Sequence, residues 1–94
     1  MSEITPGVIW KFPFPLQEQF TLDLPLILTH GEKPLLTGLD GAGNGCMWFL
    51  VDPASPKRPT KFLIRGTGFS VPPKAQHMGS FITPGGFVWH IFRA

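Results

Sequence analysis

The sequence predicts an all-β chain, folded as a compact antiparallel sandwich or small barrel of about six to seven short strands. Three observations predict it. Eleven glycines and eleven prolines punctuate 94 residues; helices need longer uninterrupted runs, whereas short strands tolerate this spacing. Between the breaks, apolar residues either alternate with polar ones or run continuously for a few positions, the patterns of half-buried and fully buried strands. Nine Phe and three Trp, in a chain that is 43% hydrophobic, supply the large side chains that a small layered core requires. The length suits a single β domain over residues 1–94, with 1–7 as a flexible N-terminus. Such a domain buries roughly 60–68% of the surface of its unfolded chain.

The elements follow in order. Val8 to Phe12 is the first strand, with Val8, Trp10 and Phe12 on one face and Ile9 and Lys11 on the other. Pro13 and Pro15 then bar central-strand pairing and send the chain along an edge or into a turn. Gln19 to Leu24 alternates cleanly, with Phe20, Leu22 and Leu24 inward. Leu26-Ile27-Leu28 either extends that strand or begins another. Thr29 to Glu32 reads as a turn, and Lys33 to Leu39 as a strand. The glycine-rich Asp40 to Gly45 suits a flexible hairpin loop. Cys46 to Val51 is nearly all apolar, so it is expected to be buried on both faces with Trp48 in the core. Asp52-Pro53 stops it, and Ala54 to Pro59 is a proline-rich loop. Lys61 to Arg65 is the next strand, ended by Gly66 and Gly68. After a connector, Ser70 to Gln76, comes a closing hairpin: His77 to Thr83, the turn Pro84-Gly85-Gly86, and Phe87 to Arg93.

Composition limits the function classes. The net charge is +2, and the eight Lys and Arg residues are dispersed. Polymeric nucleic acid is therefore disfavoured as a partner, because such binding needs clustered cations along the phosphates. Lys57, Arg58 and Lys61, the densest group, read as a solvated loop. Charged residues are 15% of the chain, against about 25% in ordinary domains. Either subunit association covers apolar surface, making the protein a homo-oligomer, or Gly, Pro, Thr and Ser cover it. A single cysteine, Cys46, excludes an internal disulfide, and its apolar setting suits an inert thiol. The first seven residues lack the regions of a secretory leader, and no apolar run reaches the roughly 20 residues of a membrane span. The expectation is a soluble cytoplasmic protein.

No catalytic pattern emerges. The six acidic residues show no paired spacing, and no Ser, His and Asp arrangement is suggested. His30, His77 and His90 are far apart in the chain and lack metal-ligand spacing. The reading is a non-enzyme with no metal and no cofactor, and with His90 an outward or hydrogen-bonded residue of its strand. The nearest approach to a ligand motif is Arg65-Gly66-Thr67-Gly68. Its backbone amides suit an anion, with charge from Arg65 and a hydroxyl from Thr67. The competing reading is a bulge or strand end in which glycine takes positive φ. Trp10 beside Lys11 suits base stacking with phosphate pairing, and equally a dimer interface or the core.

Several motifs together resemble one family of small phage, prophage and plasmid proteins, described as a domain of unknown function. They are Ile9 to Phe14, Phe20 to Pro25, Cys46 to Pro53, Phe62 to Gly68 with Pro72-Pro73, and Gly79, Phe81 and Phe87 to Phe92. The chain departs from the pattern in a longer connector, Leu36 to Gly45, and in Phe69 where the family carries His. The resemblance implies a mobile-element protein acting stoichiometrically in the host cytoplasm against host defence. One expectation is a binding protein that sequesters a small anionic ligand, such as a cyclic-nucleotide immune signal, through Trp10, Lys11, Arg65, Gly66, Thr67 and Gly68. The alternatives are a protein–protein inhibitor of a host defence effector, as anti-CRISPR proteins are, or an accessory phage protein. Under sequestration, Arg65→Ala is expected to abolish binding and leave the fold intact.

Overall fold

A computed structural model describes residues 6–94. The flexible segment expected over 1–7 falls for its first five residues outside the described residues. Eight strands form two antiparallel sheets: β1 Val8–Pro13, β2 Gln19–Leu24, β3 Leu26–Ile27, β4 Leu36–Leu39, β5 Gly45–Asp52, β6 Arg58–Gly66, β7 Gln76–Thr83 and β8 Phe87–Arg93. The architecture is the predicted sandwich. The strand beyond the expected six or seven is the two-residue β3.

The first sheet is built on β5. β1 pairs along one of its edges, from Val8 opposite Val51 to Pro13 opposite Cys46. Two short strands share the other edge end to end: β4 opposite Gly45 to Trp48, and β3 opposite Val51 and Asp52. The second sheet has the order β2-β6-β8-β7. The closing hairpin is as expected, but β8 inserts between β6 and β7, so β6 and β7 are not neighbours.

The prolines mark where the chain changes sheet. Pro13 is the last residue of β1 and Pro15 lies between β1 and β2, Pro25 separates β2 from β3, and Pro53 and Pro56 separate β5 from β6. A residue without an N–H cannot continue a central ladder, so each is a natural point of departure. Pro59 is the informative exception. β6 starts at Arg58, earlier than the expected Lys61, and Pro59 pairs with Asp23. β8 reaches only Phe62 to Gly66 of β6, so the other edge of β6 is unpaired at Pro59 and needs no donor there.

The core lies between the sheets. Met47, Phe49 and Val51 from β5 meet Phe62 and Ile91 from the second sheet, all with no exposed surface. Aromatic rings bridge the layers. Phe14, just after β1, stacks on Phe20 at 4.9 Å, and Phe20 stacks on Phe62 at 5.4 Å. Phe14 also meets the Phe81 ring edge-on at 5.7 Å. This placement demands a glycine opposite: a Cβ on Gly45 would lie 2.6 Å from the Phe14 ring. The expected burial of β5 on both faces holds for Cys46, but Trp48 is a correction. It faces outward, half-buried, with the Lys11 ammonium 5.9 Å from its ring centroid. The side-chain alternation that sends Met47 and Phe49 inward puts Trp48 on the opposite face.

The sandwich is tight where β4 passes β7. A bulge falls between His77 and Gly79, and a Cβ on Gly79 would lie 2.5 Å from Thr37 Oγ1. That hydroxyl is buried without a hydrogen-bond partner. Two substitutions test this packing by thermal or chemical unfolding. Gly45→Ala is expected to lose about 1–3 kcal/mol by overpacking against Phe14. Thr37→Val removes an unsatisfied buried hydroxyl and is expected to gain about 1 kcal/mol. Destabilisation by Thr37→Val would show that the hydroxyl has a partner in solution.

Candidate functional site

The end of the second sheet where β6 stops and β8 carries Trp89 holds a cavity of about 630 Å3. Its walls include Leu16 and Glu18 from the β1–β2 connection, Arg65 and Gly66 from β6, Phe69 from the following turn, and Trp89. Gly66 is tightly flanked: a Cβ there would sit 3.2 Å from the Trp89 ring and 3.3 Å from that of Phe69. The two rings flank its backbone. Phe69 is 65% exposed, a large apolar surface left beside a cavity. Trp89 donates its indole N–H to Thr83 Oγ1 at 3.1 Å, which fixes the ring.

Arg65 stands at the mouth with its guanidinium turned onto backbone. Nε donates to the Ser70 carbonyl at 3.1 Å, and one terminal nitrogen donates to the carbonyls of Glu18 and Ile64, both at 3.0 Å. These acceptors are neutral, so the positive charge remains uncompensated, and Arg65 forms no ion pair among the described residues. The same bonds tie two loops to the sheet, which makes Arg65 a structural clamp as well as a charge. Thr67 and Gly68 are exposed in a turn closed by the Phe69 N–H on the Gly66 carbonyl at 3.2 Å. Gly68 has φ +90°, which its position in that turn requires. The strand-end reading of this segment describes its backbone, and the cavity lies on its Arg65-Gly66 side.

The other two expected contacts lie elsewhere. Trp10 and Lys11 are adjacent in β1, so their side chains leave opposite faces. Trp10 packs inward against the core, with the Lys57 ammonium 5.8 Å from its ring centroid. Lys11 points out and pairs with Asp40 at 2.7 Å. Neither lines the cavity with Arg65. Sequence reasoning missed Trp89 and Phe69 as site residues. Their signal was the crowding at Gly66, which only the fold reveals.

The Lys11–Asp40 pair organises the β4–β5 loop. Asp40 accepts the Lys11 ammonium on one carboxylate oxygen and the N–H groups of Ala42 and Asn44, at 3.0 and 2.9 Å, on the other. The loop expected to be flexible is held by hydrogen bonds from one side chain. Lys11 and these amides hold the Asp40 carboxyl well below the usual carboxylate range, and Asp40 in turn raises Lys11. Burial pushes the Cys46 thiol up, so it stays protonated. On the outer face of the second sheet, Ser80 Oγ lies 3.0 Å from His77 Nε2 and 2.6 Å from His90 Nδ1. The fold thus joins two histidines that are distant in sequence, with no third His, Cys, Asp or Glu ligand gathered among the described residues.

Two predictions follow from this geometry. Arg65→Ala removes three charge-assisted bonds to carbonyls and is expected to cost about 2–3 kcal/mol in unfolding experiments; an unchanged stability would contradict the clamp. A depressed carboxyl pKa stabilises the fold above the unfolded value of 3.8 and ceases to do so as pH falls through the folded one. The raised Lys11 contributes below 10.5 and is lost at higher pH. The stability gap between wild type and Asp40→Asn is therefore expected to be full at neutral pH and to shrink under acid. A gap independent of pH would remove Asp40 from this role.

No helix among the described residues is long and apolar enough to cross a membrane. No curated protein and no solved structure matches the chain. A family model does match, over residues 6–94, covering the two sheets, the cavity and the motifs at Ile9, Cys46 and Phe62. The chain belongs to the family described as a domain of unknown function, DUF7352.

Proposed function

We propose that this protein is a non-enzymatic, phage-encoded counter-defence protein that sequesters a small anionic ligand, such as a cyclic-nucleotide immune signal, in the host cytoplasm. The observation that supports the reading is the grouping of Arg65, Phe69 and Trp89 around one cavity of about 630 Å3. A guanidinium without a carboxylate partner suits a phosphate, and the exposed Phe69 ring beside the half-buried Trp89 suits a base. The volume is within the range of small-molecule sites, roughly 300–1,000 Å3. The contacts of this proposal are Arg65, Gly66, Phe69 and Trp89, with Thr67 and Gly68 at the rim and Trp10 and Lys11 outside it.

Homo-oligomerisation is part of the proposal. The outer face of the first sheet carries Ile9 and Leu36, each 60% exposed, with Leu28 and the half-buried Trp48 and Leu50. A second copy would cover that surface. The same face is the one specific feature that favours the alternative, an inhibitor that docks on a host defence protein.

The deciding experiment is calorimetric titration of the folded protein with cyclic di- and trinucleotides and cyclic ADP-ribose isomers, beside light scattering for subunit number. Saturable binding is expected, with one site per subunit or per interface. Phe69→Ala is expected to weaken it about tenfold or more without shifting the unfolding midpoint, because the ring is exposed. Arg65→Ala is the poorer test, since it also loosens two loops. Absence of binding across the panel by a folded protein sinks the sequestration reading in favour of a protein partner.

A further inference from the structure

The opposite end of the second sheet holds a separate cleft between the layers, of about 320 Å3. Its floor is core: Phe49 and Phe62 are fully buried, and Leu24, Ile27 and Met78 nearly so. Two arginines face this floor. Residues directly opposite in an antiparallel pair share a face. Arg58 is opposite Leu24, and Arg93 is opposite Phe62; both apolar partners are core, so both arginines stand on the core-facing side.

Arg58 is solvent-exposed at the mouth, and the half-buried Arg93 pairs with Glu32. Glu32 reaches it from the short 3-10 turn His30–Glu32 and is a non-glycine residue held at positive φ, 56°. The turn is further tied to β7 by Gln76 Nε2, which donates to the Gly31 carbonyl at 2.8 Å. Arg58 has no such partner: its guanidinium makes neither an ion pair nor a hydrogen bond among the described residues. Asp52, the carboxylate nearest to it in sequence, and Asp23, opposite the neighbouring Pro59, are directed elsewhere. Asp52 caps the Ala54 N–H at 3.0 Å, and Asp23 is exposed beside Pro59 on the outer face.

We infer that this cleft is a binding site for a small amphiphilic monocarboxylate, with its apolar tail between the sheets and its carboxylate on Arg58. Two arginines and one glutamate leave a single net positive charge at the mouth, which one carboxylate neutralises. The planar guanidinium fork matches a carboxylate in bidentate geometry. The volume lies near the lower end for small-molecule sites, about 300 Å3, which suits a medium-length tail. The site stands on different residues from the Arg65 cavity and does not depend on the function proposed for it.

Decanoate is the test ligand, titrated into the 94-residue protein by calorimetry, with methyl-labelled methionine followed by NMR. Saturable binding of one decanoate per chain is expected, with a shift of the Met78 methyl resonance. Arg58→Gln is expected to weaken it about tenfold or more at an unchanged unfolding midpoint, and decylamine is expected not to compete. Any of three results overturns the inference: no saturable binding by the folded wild type, equal affinity in Arg58→Gln, or binding that leaves the Met78 methyl unmoved.

Discussion

The sandwich depends on the stack of Phe14, Phe20 and Phe62. Phe14 leaves the first sheet immediately after Pro13, and its ring enters the gap between the layers to lie 4.9 Å from Phe20. That single ring contacts both sheets, through Gly45 of β5 on one side and Phe20 and Phe81 on the other. Its backbone N–H donates to the Gly45 carbonyl at 2.9 Å, so the ring position and the ladder are set together. Stacked and edge-on aromatic pairs add about 0.5–1.5 kcal/mol each beyond their buried area. Loss of the Gly45 cleft would displace the ring that aligns the sheets.

From that alignment the two ends of the second sheet acquire different characters. At one end β6 terminates in Gly66, whose bare backbone lets Phe69 and Trp89 close in on both sides, and Arg65 ties neighbouring loops to the strand end through their carbonyls. At the other end β6 runs past β8, so Arg58 and Thr60 continue the core-facing row beyond the aromatic floor. The mouth there is lined by Glu32 and Arg93. Both cavities arise because the strands of a twisted sheet are unequal in length, and the overhanging residues keep the orientation that the ladder gives them.

The charge pattern fits this division. Asp40 is neutralised by Lys11 and by amides, Glu32 by Arg93, and the two remaining arginines, Arg58 and Arg65, line cavities. A mildly basic chain with few charges thus places two unneutralised guanidinium groups beside concave surface, while the outer face of the first sheet is left apolar around Ile9 and Leu36.

Much of this was legible in the residues alone. Alternation in Gln19–Leu24 named the inward residues, because a strand has a period of two and a half-buried sheet has one apolar face. Proline and glycine gave the breaks, since they act locally on φ and on the N–H donor. Trp48 escaped, because a continuous apolar run carries no mark of which face is the core. The early start of β6 escaped, and Leu26-Ile27 stayed open between an extension of β2 and a new strand, because both depend on which neighbour is present at each edge. The same limit governs the sites. Arg65 and Gly66 were visible as a motif, but the approach of Phe69 to Trp89 and of Arg58 and Arg93 to one cleft depends on elements that are not consecutive in the chain, and that of His77 to His90 on the register of the closing hairpin. Local chemistry determined the strands, their faces and their ends. Pairing order and register, set by packing between the sheets, decided which side chains meet.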